Sequence, residues 1–241
     1  MILLNWRQRY TYWICHAWLP AGVFLVGLLW FRWYDIDIKL ANFFYDFAAN
    51  RWIYGESWWA NTFLHSGGRN GIKLIAILAA VLWVGGYVKA NLRPLRRQSG
   101  YALLVIGLST GLVALGKETT GINCPRDLQQ YGKDRPYYHL FDSRPVKSLQ
   151  GKCFPGGHSS GGFSLFFIYY LLKDRRSKRA LWGIGFALLI GGLFSFAQLV
   201  RGAHFISHDW WSLFICWAMA SWLYHVPFQK RLTLTAENPH N

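Results

Sequence analysis

Charged side chains are scarce in this chain of 241 residues. Asp, Glu, Lys and Arg together make up only 15% of it, against about 25% in soluble domains. Acidic side chains are the scarcer kind, with 11 Asp and Glu against 26 Lys and Arg. Because hydrophobic residues make up 53%, the composition excludes an ordinary soluble domain and indicates a membrane protein.

The charge that remains is strongly basic, with a formal net charge of +15. Such an excess suits either nucleic acid or a membrane surface. The cations lie in short clusters between apolar runs, so they are explained better by membrane topology, and no nucleic-acid partner is expected. The first residues mix arginine with aromatic side chains and have no small-residue cleavage site, so we expect no cleavable signal peptide.

Apolar runs predict an all-α polytopic membrane protein with about six transmembrane helices in a bundle, since a bilayer needs roughly 20 apolar residues per span. The whole chain, 1–241, is predicted to be a single domain. Residues 34–71 mix acidic and aromatic side chains, which predicts one or two short interfacial helices ending in a break at 66–71. The predicted spans are about 15–32, 72–89, 100–116, 159–172, 180–200 and 210–226.

The basic clusters predict the orientation. With six spans, the N-terminus, the loops 89–97 and 173–179 and the pair Lys230-Arg231 fall on one side. The positive-inside rule makes that side cytoplasmic, so both termini are expected there. The polar loops then share the outer face, which predicts a site at the outer membrane–water interface. In a bacterium, that site would face the periplasm from the inner membrane.

Three polar islands, within residues 117–209, interrupt the apolar pattern on that face. The first begins at Lys117, which could only snorkel to the interface, but Arg126 or Arg135 beside it would make a phosphate clamp. The second contains Gly157, His158 and Ser159 at a helix start, where backbone N–H groups favour phosphate. Its alternative is a plain glycine turn with a capping serine.

The third island holds Arg201, His204, His208 and Asp209 within one short stretch. Histidine can be a nucleophile, a general acid or a metal ligand, and a zinc site would need three or four ligands. The clustered cations Lys117, Arg126 and Arg201 would repel a metal ion. The pattern therefore favours an anionic substrate and no bound metal.

Together, the islands resemble the three signature motifs of the type-2 phosphatidic acid phosphatase superfamily, which includes membrane lipid phosphatases. The motifs are Lys-x6-Arg-Pro, Pro-Ser-Gly-His and Ser-Arg-x5-His-x3-Asp, and the resemblance covers about residues 100–225. It implies that His204 is the nucleophile that forms a phosphohistidine. It also implies that His158 protonates the leaving alcohol, that Lys117 and Gly157 hold phosphate oxygens, and that no metal or other cofactor is needed.

The first two motifs depart from the pattern. Cys124 stands at the arginine position of the first motif, so Arg126 or Arg135 must substitute, and proximity favours Arg126. Gly156 stands at the serine position of the second motif, so Ser159 is the expected source of the hydroxyl.

The third motif departs as well. Gln198 stands at its arginine position, and Arg201 lies one helical turn later, on nearly the same helix face. We expect Arg201 to be the phosphate clamp. His208 stands at the aspartate position and Asp209 follows it. Either could orient His204, and Asp209 is favoured because a carboxylate also stabilises an imidazolium.

Two of the four cysteines, Cys124 and Cys153, lie in the long outer loop. In an oxidising periplasm they could form a disulfide, the alternative being two free thiols.

The resemblance implies a membrane phosphatase acting on a lipid phosphate or pyrophosphate, with the bilayer and its substrate lipid as partners. A lipid phosphotransferase, a non-catalytic protein that binds or transports anionic lipids, and a vanadate-dependent oxidase on the same fold are the alternatives. An acid and a nucleophile beside the cations favour catalysis, because binding alone needs only the cations.

Overall fold

The computed structural model describes residues 6–143, 150–173 and 177–225. Two predicted basic clusters reach outside these residues: the cations Lys230 and Arg231, and part of the loop at 173–179. Residues 144–149 of the long polar loop also lie outside.

The described residues are mostly helical, which confirms the predicted all-α class. Strands occur in this part of the chain only as a short hairpin, β1 (Tyr45–Asp46) paired with β2 (Arg51–Trp52). Short π-helical segments (Ile14–Trp18 and Trp59–Gly67) lead into α2 and α4. The α-helices are α1 (Trp6–Trp13), α2 (Leu19–Tyr34), α3 (Ile36–Asn42), α4 (Gly68–Val88), α5 (Arg93–Thr120), α6 (Gly157–Phe163), α7 (Phe167–Lys173), α8 (Ser177–Leu199) and α9 (Ile206–Leu223).

Four helical runs are long and apolar enough to cross a membrane. They correspond to the first, second, third and fifth predicted spans, and only 11% of the apolar windows of the first two is buried inside the protein. Large apolar side chains such as Leu74 and Trp182 point outward from these helices. Outward-facing apolar surface of this extent suits lipid rather than water. The runs are Tyr10–Tyr34, Trp59–Val88, Ala90–Asp127 and Lys178–Leu199.

The fourth and sixth predicted spans form inner helices. The fourth is a broken run in which a 3-10 turn (Ser164–Phe166) separates α6 from α7, and most of its side chains up to Phe167 are buried. The sixth is α9, which begins with polar residues and carries several serines and tryptophans. Both runs are therefore shorter or less apolar than a lone span requires, and the arrangement of six spans stays a prediction.

The predicted helix break at 66–71 is wrong. The helix runs without interruption from Trp59 through this glycine-rich segment to Val88. A Cβ atom on Gly68 would lie 2.4 Å from Cε1 of Phe194 in α8. The glycine therefore permits close packing of α4 against α8, as small residues do between membrane helices.

Contacts at both ends fix the position of α9, which carries part of the third island. At its C-terminal end, the hydroxyl groups of Tyr12 and Tyr101 donate to the carbonyl groups of Ser221 and Ala220 at 3.0 and 2.8 Å. At its start, the buried carboxylate of Asp37 in α3 accepts hydrogen bonds from the backbone N–H of Ser207 at 3.0 Å and from its hydroxyl at 2.5 Å.

Candidate active site

The three polar islands meet at one place in the fold. The backbone N–H of Gly156 donates to the carbonyl of His208 at 2.9 Å, and that of Arg126 donates to the carbonyl of Gly202 at 2.9 Å. The first and second islands are therefore each bonded to the third. The end of α5, the start of α6 and the turn between α8 and α9 converge there.

A disulfide closes the long loop beside this point. Cys124 and Cys153 are bonded, with Cα atoms 5.1 Å apart, and the backbone N–H of Cys153 donates to the carbonyl of Ile122 at 3.0 Å. The bond holds the chain leaving α5 against the chain entering α6. It also places Sγ of Cys153 3.4 Å from Nδ1 of His204.

His204 lies buried in the turn after α8, with only 7% of its surface exposed. The backbone N–H groups of Ala203 and His204 point to the carbonyl of Gln198, at 2.8 and 3.4 Å. Burial, followed by the charge of Lys117, lowers the pKa of His204 well below its usual value. The ring is therefore neutral near pH 7, which a nucleophilic imidazole requires.

Lys117 and Gly157 lie in contact with each other near this ring. A Cβ atom on Gly157 would lie 2.8 Å from Cε and 3.1 Å from Nζ of Lys117, so a larger residue would displace the lysine. The ammonium group is close enough to His204 and Asp209 to lower the pKa of both. Both predicted phosphate ligands thus lie beside the candidate nucleophile.

Arg201 lies in a turn and not on a helix, so its predicted helical relation to Gln198 is wrong. Helix α8 ends at Leu199, and Gly202 reverses the chain with a φ of 65°, a conformation that favours glycine. The Nε and Nη1 atoms of Arg201 are buried and have no hydrogen-bond partner among the described residues. Burial and the neighbouring charge of Arg126 lower the pKa of this guanidinium group.

Arg201 and Arg126 line one cavity of about 560 Å³, together with Arg51 and Trp52 of the hairpin and with Glu56, so that three cations face one carboxylate there. Unpaired guanidinium nitrogens at the wall of a cavity suit an anionic ligand, because a phosphate would supply the missing acceptors. Arg135, the alternative to Arg126, is engaged elsewhere. Its Nη1 donates to the side chain of Asn123 and to the carbonyl of Gln150, both at 3.3 Å.

Ser159 and Asp209 form a buried pair. The hydroxyl of Ser159 donates to Oδ1 of Asp209 at 2.5 Å and lies 3.0 Å from the carbonyl of Gly156. Ser159 is completely buried, and its hydroxyl holds the aspartate. The prediction that this hydroxyl is directed to the phosphate is therefore wrong. Burial raises the pKa of Asp209 to about 6, against the hydrogen bond from Ser159.

Among the described residues, neither Asp209 nor His208 forms the hydrogen bond that was expected to orient His204. Asp209 is bonded to Ser159, while the ring of His208 stands 5.9 Å from that of His204, measured between centroids. Burial lowers the pKa of His208 to about 3. The group that faces Nδ1 of His204 is Cys153, whose backbone carbonyl also opposes the lowering of the His204 pKa.

Ligand atoms of Cys153, His204 and His208 lie within 4.8 Å of one another, as they would around a metal ion. The sulfur of Cys153 is part of the disulfide and offers no thiolate. Two histidines remain, fewer than the three or four protein ligands of a zinc site, and the charge of Lys117 acts on both rings. This donor set fits a metal poorly.

The sequence model of the PAP2 superfamily matches residues 98–232. The chain belongs to this superfamily. The match contains all three islands of the site. None of the curated proteins and none of the solved structures compared with the chain gives a significant match. Membership of the PAP2 superfamily supports phosphatase or phosphotransferase chemistry at the convergent islands.

Two neighbours of the PAP2 motifs come from the segment 34–71, where sequence reasoning named no site residue. Arg51 reaches the cavity from β2, and the ring of His65 packs 4.7 Å from that of His158, measured between centroids. Both precede the matched region and stand in no motif spacing. The mixed polar and aromatic character of the segment was the only signal, and it indicates an interface rather than a site.

His158 itself is enclosed on this side of the site. Its Nε2 lies 3.0 Å from the carbonyl of Leu64, and its ring stacks on Phe194 at 4.3 Å between centroids. Burial, and after it the neighbouring His65, lowers the pKa of His158 to about 4. The ring is therefore largely neutral near pH 7.

Proposed function

We propose that this protein is an integral-membrane phosphatase that removes phosphate from a lipid phosphate or pyrophosphate through a phosphohistidine on His204. The observation that carries the proposal is the guanidinium group of Arg201. Two of its nitrogens are buried without a partner among the described residues, at a cavity shared with Arg126. Arg201 stands three residues before His204 in the same turn after α8, so an anion held by Arg201 would be brought toward a buried, neutral histidine, which is the form that nucleophilic attack on phosphorus requires.

The chemistry has two steps. His204 attacks phosphorus, the bond from phosphorus to the lipid oxygen breaks, and a histidine on the α6 side of the site protonates the leaving oxygen. Water then attacks the phosphohistidine, which releases inorganic phosphate and restores His204. The resemblance gives the proton-donor role to His158, which lies on that side.

The cations stabilise the charge that develops on the phosphoryl oxygens. We assign this role to Lys117, Arg126 and Arg201, with the backbone N–H of Gly157, because such preorganised donors contribute a large part of enzymatic rate enhancement. Asp209 acts at a distance: through Ser159 it holds the turn at Gly156 in place.

This arrangement requires no metal, since the protein's own cations supply the positive charge. We expect turnover to continue in EDTA, measured as phosphate release. Loss of turnover on chelation, followed by recovery on adding zinc or magnesium, would contradict this part of the proposal.

The site is proposed to face outward from the inner membrane of a bacterium, with both termini in the cytoplasm. The distribution of basic loops supports this orientation. Labelling a cysteine introduced at Lys133, an exposed position of the long loop, with a membrane-impermeant reagent in intact cells tests it. Protection of that position until the cells are lysed would reverse the orientation.

The reaction is tested with purified protein in detergent and a panel of lipid phosphates: phosphatidate, phosphatidylglycerophosphate, undecaprenyl pyrophosphate and lipid A phosphate. We expect phosphate release from at least one of them, and protein quenched with denaturant during turnover should carry phosphate on a histidine. His204→Ala should abolish both signals while leaving the folded yield unchanged. Turnover at the wild-type rate by this variant would refute the mechanism.

A further inference from the structure

The loop disulfide and the two histidines of the third island bring three metal-ligand atoms together. One such atom from each of Cys153, His204 and His208 lies within 4.8 Å of the others, and Sγ of Cys153 is 3.4 Å from Nδ1 of His204. A tetrahedral zinc ion, with Zn–S about 2.3 Å and Zn–N about 2.0 Å, holds sulfur and nitrogen roughly 3.5 Å apart. The spacing therefore suits a metal ion, but the bond to Cys124 withholds the sulfur from it.

The surroundings of the two rings also suit metal ligands. Cys153, His204 and His208 are all buried, and Nδ1 of His208 has no hydrogen-bond partner among the described residues. A buried nitrogen without a partner is unusual, and a bound metal ion would supply one. The backbone carbonyl of Cys153 interacts with both rings. Histidines that bind a metal commonly keep such a contact through their other nitrogen.

Reduction of the disulfide would free the sulfur of Cys153 without releasing its backbone. The backbone N–H of Cys153 donates to the carbonyl of Ile122 at 3.0 Å, and that of Gly151 donates to the carbonyl of Gly121 at 3.1 Å. Cys124 is partly exposed, whereas Cys153 is buried. A thiol reductant therefore attacks the sulfur of Cys124, and the sulfur of Cys153 leaves as the first free thiol. The thiol released is the one beside the histidines.

Reduction also changes the charge that a metal ion meets. In the oxidised protein, the charges of Lys117 and Arg126 act on His204 with no thiolate beside them, so they repel a cation. The same two charges favour the thiolate form of a neighbouring cysteine. Complete reduction frees Cys124 next to Cys153, and two thiolates offset both charges of Zn²⁺. Two cysteines and two histidines are also a common ligand set of structural zinc sites.

We propose that the reduced protein binds zinc through Cys153, His204 and His208, and that the bound ion blocks the nucleophile. A dithiol gives two electrons and two protons to the disulfide and becomes a disulfide itself. Zinc then binds Cys153 as a thiolate, and the proton of that thiol passes to water. A neutral imidazole has one acceptor nitrogen, so zinc on His204 leaves none to attack phosphorus. The binding is independent of the proposed phosphatase function, and the inhibition rests on it.

Two variants that both lack the disulfide separate this site from the effect of losing the bond. Cys124→Ser leaves the thiol of Cys153 free beside the histidines, and Cys153→Ser is the matched control that removes it. The free cysteines Cys15 and Cys216 are common to both variants. Each variant is titrated with Co²⁺ alone as a probe for zinc, because a cobalt–thiolate bond has a charge-transfer absorption that histidine ligands do not give.

We expect this absorption in Cys124→Ser and in wild-type protein that was reduced with a dithiol and then freed of it. Oxidised wild-type protein and Cys153→Ser should lack it. Loss of an outer-shell partner alone costs about 10–100-fold in metal affinity, so adding His208→Gln to Cys124→Ser should weaken cobalt binding by at least about 10-fold. Zinc should raise the melting temperature of Cys124→Ser and lower its kcat/KM for a lipid phosphate in proportion to occupancy. EDTA should reverse both effects.

Three outcomes would overturn the inference. Absence of the cobalt–thiolate absorption from both Cys124→Ser and reduced wild-type protein removes the site. The same absorption in Cys153→Ser assigns the binding to another thiol. Equal inhibition of oxidised wild-type protein by zinc shows that Cys153 has no part in it. If Cys124→Ser does not fold, reduced and oxidised wild-type protein carry the comparison. The expected absorption in a protein that hydrolyses no lipid phosphate would instead refute the proposed phosphatase activity and leave the metal site standing.

Discussion

Removing the side chain of Arg201 should separate catalysis from stability. Its Nε and Nη1 atoms are buried and have no partner among the described residues, and Arg126 places a like charge beside them. Buried guanidinium nitrogens without partners oppose folding, because their desolvation is not repaid by hydrogen bonds. We therefore expect the ligand-free Arg201→Ala protein to melt at the wild-type temperature or above it.

Catalysis should respond in the opposite direction. Loss of a group that stabilises charge on the transferring phosphoryl group costs about 10²–10³-fold in rate, so kcat/KM of Arg201→Ala should fall by that factor. Arg201→Lys keeps the charge but loses the planar fork, and should recover only part of the rate. Inorganic phosphate at a hundredfold excess over its Kd would stabilise wild-type protein by about 2.7 kcal/mol, and most of that shift should disappear in Arg201→Ala.

The measurements are kcat/KM on one detergent-solubilised lipid phosphate and thermal unfolding with and without phosphate. Arg135→Ala is the matched control, because this arginine belongs to the same polar loop but is bonded to Asn123 and Gln150. It should leave kcat/KM near the wild-type value. The reasoning fails if Arg201→Ala turns over normally, or if it destabilises the free protein while phosphate still protects it.

Three further predictions follow from the contacts around the site. Gly156→Ala would place a Cβ atom 1.9 Å from Oδ1 of Asp209, so activity and melting temperature should fall together. Gly192→Ala is the control: its Cβ atom would meet nothing within 4 Å, so neither activity nor melting temperature should change. Burial raises the pKa of Asp37 from 3.8 to about 6, so the folded protein binds more protons between these values and loses stability as pH rises through them. The difference reaches about 3 kcal/mol above pH 6, and Asp37→Asn should abolish it in melting curves taken from pH 4 to 7. Reduction of the loop disulfide should lower the melting temperature, and two loop thiols that react in natively expressed, unreduced protein would contradict the bond.

The convergence of the three islands could be predicted because each one stands at a helix end. Lys117 lies in the last turn of α5, Gly157 begins α6, and His204 follows the end of α8. Apolar runs that cross a membrane in alternating directions bring such ends to one face. The motif spacing then indicated the superfamily, and the match over residues 98–232 confirmed that resemblance.

The hydrogen bonds inside the site could not be predicted in the same way. The sequence predicted that Ser159 would bind the phosphate and that Asp209 would orient His204. In the structure, these two side chains are hydrogen-bonded to each other. The choice depends on which way short side chains face across α6 and α9, and a spacing pattern does not contain that information.

The turn after α8 could not be predicted from the sequence, for a related reason. A periodic apolar pattern continues through residue 200, so a helix was extended to Arg201, but the chain reverses at Gly202. A distant residue makes glycine necessary at this reversal: a Cβ atom on Gly202 would collide with the ring of Trp52 in the hairpin. The residues near Arg201 in the sequence do not reveal that contact.

We propose that Arg126 and Arg201 replace the two missing motif arginines, and the structure links these two residues. Cys124, at the first arginine position, is bonded to Cys153, and this bond holds the loop in which Arg126 follows two residues later. The backbone N–H of Arg126 donates to Gly202, the residue after Arg201, so one hydrogen bond aligns both replacement cations at the same cavity. Gln198, at the second arginine position, is hydrogen-bonded to His65. A change that restored arginine at residue 124 would remove the disulfide and with it the support for Arg126, so it should add a charge without adding a working clamp.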